Sequence, residues 1–191
     1  MCDDILRLFK MNQYDPLIED SKNLPCGKGL YIISARDKYA LPEEMHNLVY
    51  SFINERPIVY VGVSSVSLRK RDYNNHFNGN ARKSTLRKSI GSLRRYDRVW
   101  YPGEINTCRY RFTDPCEKEL TMFMKANLLL NYYITDEYET IEKILIDYLN
   151  PPLNLQNNHN LVNKEFRELL SILRCKRCTT LKQLTEEDKK Y

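Results

Sequence analysis

The chain has 191 residues, 42% of them hydrophobic and 29% charged, with a net charge of +5. That length suits one domain with a core of its own, and that composition excludes wholesale disorder. No run of ~20 apolar residues is present to cross a bilayer, and the acidic start MCDDILRLFK does not read as a secretory signal, so the expected location is the cytoplasm. In chain order, a short helix is predicted over 4–11, and GLYIIS over 29–34 reads as a strand. The segment 41–57, LPEEMHNLVYSFINERP, has Met45, Leu48, Val49 and Phe52 at helical spacing and reads as a helix closed by Pro57. PIVYVGV over 57–63 is a second strand, rich in β-branched and aromatic residues. Serines 64, 65 and 67 then offer N-caps to a basic helix reaching about Asn74.

After a Gly/Asn loop, a further helix carries Leu86, Ile90 and Leu93 on one face. INTCRYRF over 105–112 alternates and reads as a third strand. Asp114 and Pro115 open a helix predicted to run to about Asn131, and YYIT follows as a short extended piece. A helix over 136–149 is stopped by Pro151-Pro152, and a last amphipathic helix covers 163–175.

Charge is unevenly distributed. Between Arg69 and Arg98 ten basic residues face only Asp72 and Asp97, a local charge of +8, so the rest of the chain is net acidic. Such an excess is the footprint of a surface that meets a polyanion. The six cysteines, at 2, 26, 108, 116, 175 and 178, are expected as free thiols and not as a disulfide framework in a cytosolic chain of this size. Cys175 and Cys178 make a lone CxxC without a second pair or well-spaced histidines, and surface thiols are the expected reading.

Two tripeptides, Gly29-Leu30-Tyr31 and Tyr60-Val61-Gly62, each place a phenol beside a glycine in a strand-like run. With Leu68-x-x-Arg71 and the register of Glu142 to Asn154 in EKILIDYLNPPLN, they resemble the GIY-YIG nuclease superfamily. The resemblance covers about 27–156, with 1–26 as an N-terminal lead and 157–191 as a C-terminal helical tail. The segment HFNGNARKSTLRKSIGSL is similar to a bacterial subgroup near the restriction-endonuclease branch.

The resemblance implies an α+β fold with a small three-stranded antiparallel sheet flanked by helices. It implies a metal-dependent DNA endonuclease that leaves 5′-phosphate and 3′-hydroxyl ends. Glu142 would bind one divalent cation, Mg²⁺ or Mn²⁺, and Arg71 would clamp the scissile phosphate. Tyr31 and Tyr60 would line the site, one acting on water and the other on phosphate, with their assignment open. Asn154 would brace the site or touch phosphate. His76 would be the helper base, although it follows Arg71 by five residues where the restriction branch has four. The arginine is itself one residue late, so Arg69 and Lys70 stand as alternatives. Arg69, Lys70, Arg82, Lys83, Ser84, Arg87, Lys88, Arg94 and Arg95, with Thr85 beside them, are candidate contacts to double-stranded DNA, which a monomer or a homodimer would cut. A non-catalytic DNA-binding module with a degenerate site is the alternative, favoured by the displaced register.

Overall fold

The computed structural model describes residues 2–100 and 109–175. The described residues form seven strands: β1 (Gln13–Tyr14), β2 (Gly29–Ala35), β3 (Phe52–Ile53), β4 (Arg56–Ser64), β5 (Arg98–Trp100), β6 (Tyr110–Phe112) and β7 (Leu128–Ile134). Around them lie α1 (Cys2–Lys10), a π-helix (Arg69–Phe77), α2 (Thr85–Leu93), α3 (Asp114–Asn127), α4 (Tyr138–Leu149) and α5 (Lys164–Arg174). The main sheet has five antiparallel strands in the order β1-β7-β2-β4-β3, and β5 and β6 form a separate hairpin. No helix among the described residues is long and apolar enough to cross a membrane.

All seven residues of β2 are buried, because helices cover both faces of the sheet. Leu30 and Ile32 pack with Ile58, Val61 and the apolar faces of α1 and α4. Tyr31, Ile33 and Ala35 point the other way, into the larger core built with α2, α3 and α5. This is the period-2 alternation of a strand, with both faces apolar. The register shifts between Ile33, opposite Tyr60, and Ser34, opposite Ile58, so β4 bulges at Val59.

Three expectations are corrected. The sheet has five strands, not three. Its third central strand is β7, in the run LLLNYYI that the helix prediction overran, since a short apolar run suits a buried strand as well as a helix. The predicted strand 105–112 survives as β6, but in the separate hairpin, and 105–108 lie outside the described residues. The predicted helix 41–57 is a single 3-10 turn, Glu43–Met45, followed by irregular chain and β3. Its apolar spacing has another origin: Met45 is buried, while Val49 and Phe52 are exposed.

Candidate active site

Tyr31 and Tyr60 come from the paired strands β2 and β4, on the face that meets the π-helix and α2. Tyr31 lies opposite Gly62. A Cβ on Gly62 would stand 2.4 Å from Tyr31 Oη and 2.9 Å from the Tyr60 ring. The glycine after the second tyrosine is therefore the space in which the first tyrosine's phenol lies. Gly29 has a similar role against the neighbouring strand, where a Cβ would meet the Tyr133 carbonyl oxygen at 2.2 Å.

The π-helix delivers the next two groups. Its i→i+5 bonds, closed by Asn78 N–H donating to Tyr73 O at 2.9 Å, put residues five apart one hydrogen-bonded turn apart. In an α-helix that relation holds for residues four apart. The wider winding absorbs the extra residue between Arg71 and His76, and both side chains reach Tyr31. His76 Nε2 lies 2.7 Å from Tyr31 Oη, and Arg71 Nε donates to the same oxygen at 3.4 Å. The rings of Tyr31, Tyr60 and His76 pack mutually, with centroids 5.4–6.2 Å apart.

Ser84, the N-cap of α2, completes the histidine's environment. Its Oγ accepts the Arg87 amide at 3.1 Å and lies 2.6 Å from His76 Nδ1. Arg87 anchors the same assembly from below. Its buried guanidinium donates to Glu117 Oε2 at 2.7 and 3.0 Å, to the Glu117 carbonyl, to Thr121 Oγ1 and to the His76 carbonyl oxygen at 3.0 Å. Glu117 Oε1 in turn accepts the amides of Ala81 and Phe112. Two candidate DNA contacts, Ser84 and Arg87, are thus interior residues that hold His76. A helix-face reading of the basic segment places them outside because it does not see α3 covering them.

Asn154 is a brace. Its side chain accepts the Val61 amide at 2.9 Å and donates to the Val61 carbonyl at 2.8 Å, while Leu153 N–H donates to Val59 O. The double-proline loop therefore pairs with β4 as a short strand would, beside the tyrosine-bearing stretch.

On the open side lies a cleft of about 290 Å³, lined by Tyr60, Thr85, Lys88, Glu142, Asn154, Arg174 and Cys175 among others. Tyr60 Oη bonds Thr85 Oγ1 at 3.0 Å. Glu142, on α4, is half-buried; burial raises its proton affinity above the ordinary carboxylate value, and the charge of Arg71 opposes this. Arg71 therefore acts electrostatically on both the phenol cluster and the cleft carboxylate. Tyr31 is fully buried, and burial, with Tyr60 and Asp72, pushes its phenol well above the usual range against the effect of Arg71. Burial holds His76 well below its ordinary value, helped by Arg71 and Arg87.

The remaining candidates are spread over the surface. Arg69 is turned away, donating to the carbonyls of Leu24 and Lys22. Arg94 pairs with Glu119 at 2.7 Å and Arg95 with Glu44 at 3.1 Å. Lys70, Arg82 and Lys83 are exposed, and Lys88 sits over the Tyr110 ring. Cys26, Cys116 and Cys175 are free thiols, and no group of three or more potential metal ligands occurs among the described residues; Cys108 and Cys178 lie outside them. The sequence reading passed over Asp72, which is fully buried four residues before His76. Its signal was its isolation as an acid inside a basic run, at helical spacing from the histidine.

No curated protein and no solved structure matches the chain significantly. The model of the GIY-YIG catalytic domain matches residues 29–176, a span that holds both tyrosines, the π-helix, Glu142 and Asn154. The chain therefore belongs to the GIY-YIG catalytic domain family, a family of nucleases.

Proposed function

We propose that the protein is a metal-dependent endonuclease that hydrolyses phosphodiester bonds in double-stranded DNA, leaving 5′-phosphate and 3′-hydroxyl ends. The observation that carries this reading is the buried histidine-bonded phenol with Arg71 at its oxygen, packed against Tyr60 of a cleft whose one carboxylate, Glu142, also feels the charge of Arg71. Site-specific cutting of the restriction type is the finer reading, supported by the likeness of the segment 76–93 to that branch.

Glu142 fits a hard divalent cation. Its half-buried carboxylate has no hydrogen bond or ion pair among the described residues, and its raised proton affinity is a demand for positive charge. With one protein carboxylate, the ion would draw its other ligands from water and phosphate oxygens, as Mg²⁺ does. When bound, it supplies charge stabilisation at the leaving 3′ oxygen.

The protein's own groups do the rest. Arg71 holds Tyr31 and the Lys83 carbonyl only by long contacts of 3.4 and 3.5 Å, so its planar fork is released to a phosphate at little cost. That movement uncovers Tyr31 Oη to water. Ser84 Oγ has two lone pairs, one taken by the Arg87 amide and one open to His76 Nδ1–H. In that tautomer Nε2 faces the Tyr31 hydroxyl as an acceptor. Tyr31 then takes a proton from the attacking water as its own passes to Nε2, and Tyr60, fixed by Thr85, borders the phosphate. The binding-module alternative drew on the displaced register; the winding of the π-helix, which brings Arg71 and His76 to one phenol, supports the catalytic reading instead.

The test is purified protein on supercoiled plasmid with Mg²⁺ or Mn²⁺, beside Glu142→Ala. Wild type is expected to nick or linearise the plasmid, and the variant to bind it and leave it intact. Binding by both without cutting would overturn the reading. A sequencing ladder on the cut ends reports site specificity. One site per chain needs two visits or a homodimer to break both strands.

A further inference from the structure

Asp72 has no explained role in this site. Its side chain is completely buried, and neither carboxyl oxygen has a hydrogen-bond partner among the described residues. An orphaned buried carboxyl is destabilising against an apolar replacement, and such a cost is retained where a site uses it. The group lies in the π-helix with Oδ1 4.0 Å from His76 Nε2, the nitrogen that also faces the Tyr31 hydroxyl.

The surrounding charges define what it meets. From the π-helix come Arg71 and His76; from β2, Tyr31; from β4, Tyr60. Arg87 on α2 approaches His76 from behind and is neutralised by Glu117 on α3, whose Lys125 lies over the Tyr73 ring. The 3-10 turn Ser21–Asn23 offers the π-helix the Lys22 carbonyl through Arg69. Every cation near His76 thus opposes its protonation, and Asp72 is the one carboxyl the structure shows within 4 Å of its ring nitrogens.

We propose that Asp72 is a positioning residue for the proton transfer, acting as the buried counter-ion of the imidazolium formed when His76 takes the Tyr31 proton. This rests on the nuclease reading of the site. In the step, a water O–H bond breaks and its proton passes to Tyr31 Oη. The Tyr31 proton forms a new N–H bond on His76 Nε2, the hydroxide forms the new P–O bond, and the bond from phosphorus to the 3′ oxygen breaks, that oxygen taking a proton from solvent water to leave as the 3′-hydroxyl. The proton ends on His76, a positive charge beside Asp72 in its carboxylate form, the form that burial confines to the upper pH range. Before transfer Asp72 lies beside a neutral ring and gains nothing; after transfer it lies 4.0 Å from a nitrogen of a cation. The interaction is therefore made in the course of the reaction and not before, the condition for accelerating it.

Burial raises the proton affinity of Asp72 well above the ordinary carboxylate range. A group with a raised folded-state value stabilises the fold below its unfolded value and loses that contribution as pH rises through the folded one. Asp72→Asn, which copies the protonated form in size and charge, is therefore expected to melt above wild type by a margin that widens as pH rises. On DNA the same variant is expected to lose about 10²-fold or more in kcat, with KM unchanged. Asp72→Glu, which keeps a carboxyl, is expected to recover part of the rate. A merely structural Asp72 predicts the reverse: a variant less stable than wild type at every pH, or one with unaltered kcat. Either result overturns the assignment. The melting curves need no substrate, so a wild type that does not cut removes the nuclease reading while a flat or negative melting difference still separately overturns the placement of Asp72.

Discussion

Arg87 carries a charge into the interior, and its geometry says what would follow from losing it. All of its contacts are inside: the Glu117 carboxylate, two carbonyls and the Thr121 hydroxyl. Removing one partner of such a pair leaves the other charged and buried, at a cost of about 3–5 kcal/mol. Arg87→Ala is therefore expected to lower stability by that amount in urea denaturation. Lys83→Ala, four residues away and exposed, should change it by less than about 0.5 kcal/mol. Equal effects would contradict the burial. The sequence ranks both as surface cations, since residue type alone cannot show that α3 will cover one of them. For Tyr31, Tyr60, Arg71, Glu142 and Asn154 motif and register already relate positions that lie far apart in the chain, and the structure places Tyr31, Tyr60 and Arg71 together and Tyr60, Glu142 and Asn154 along one cleft. The role of Asn154 as a brace, against that of phosphate ligand, needed the Val61 backbone to be in view.

At the scale of elements, the π-helix decides whether the site is complete. Propensity and periodicity rules assume 3.6 residues per turn, so the extra residue between Arg71 and His76 reads as a defect of about 100°. Only the i→i+5 bonding shows that both side chains arrive at one phenol. The same limit explains β7, where an apolar run long enough for a helical turn became the third central strand, and the region 41–57, where helical spacing arose without a helix. A deletion tests the compensation. Asn74 is exposed and has no side-chain bond among the described residues. Removing it leaves arginine and histidine four apart, which an ordinary α-helix places one turn apart. The deletion variant is expected to fold, to gain helical ellipticity, and to keep nicking within about tenfold of wild type. Loss of activity in a folded variant would show that the π-helix does more than restore register.

Across the whole molecule the basic segment is less of a surface than its composition suggests. Of its ten cations, Arg87 is buried, Arg69 is spent on two carbonyls, and Arg94, Arg95 and Arg98 bind Glu119, Glu44 and the Leu173 carbonyl. Of the other five, Lys70 and Arg71 line a shallow hollow beside β4, Lys88 lines the cleft, and Arg82 and Lys83 are exposed. Each phosphate neutralised on duplex DNA adds about −0.9 to the slope of log K against log salt. A segment acting through all ten cations would give a slope near −9, whereas with five of them engaged inside the chain the slope is expected to be no steeper than roughly −4 to −5. Fluorescence anisotropy with Glu142→Ala, which should bind without cutting, measures that slope across a KCl series. Lys70→Ala and Lys83→Ala are each expected to flatten it by about 0.9 and to weaken binding alike on different sequences, because phosphate contacts set register without reading bases. Arg69→Ala should leave the slope unchanged, since its guanidinium already serves the chain. A slope near −9, or an equal loss from Arg69→Ala, would mean that the internal pairings open on DNA.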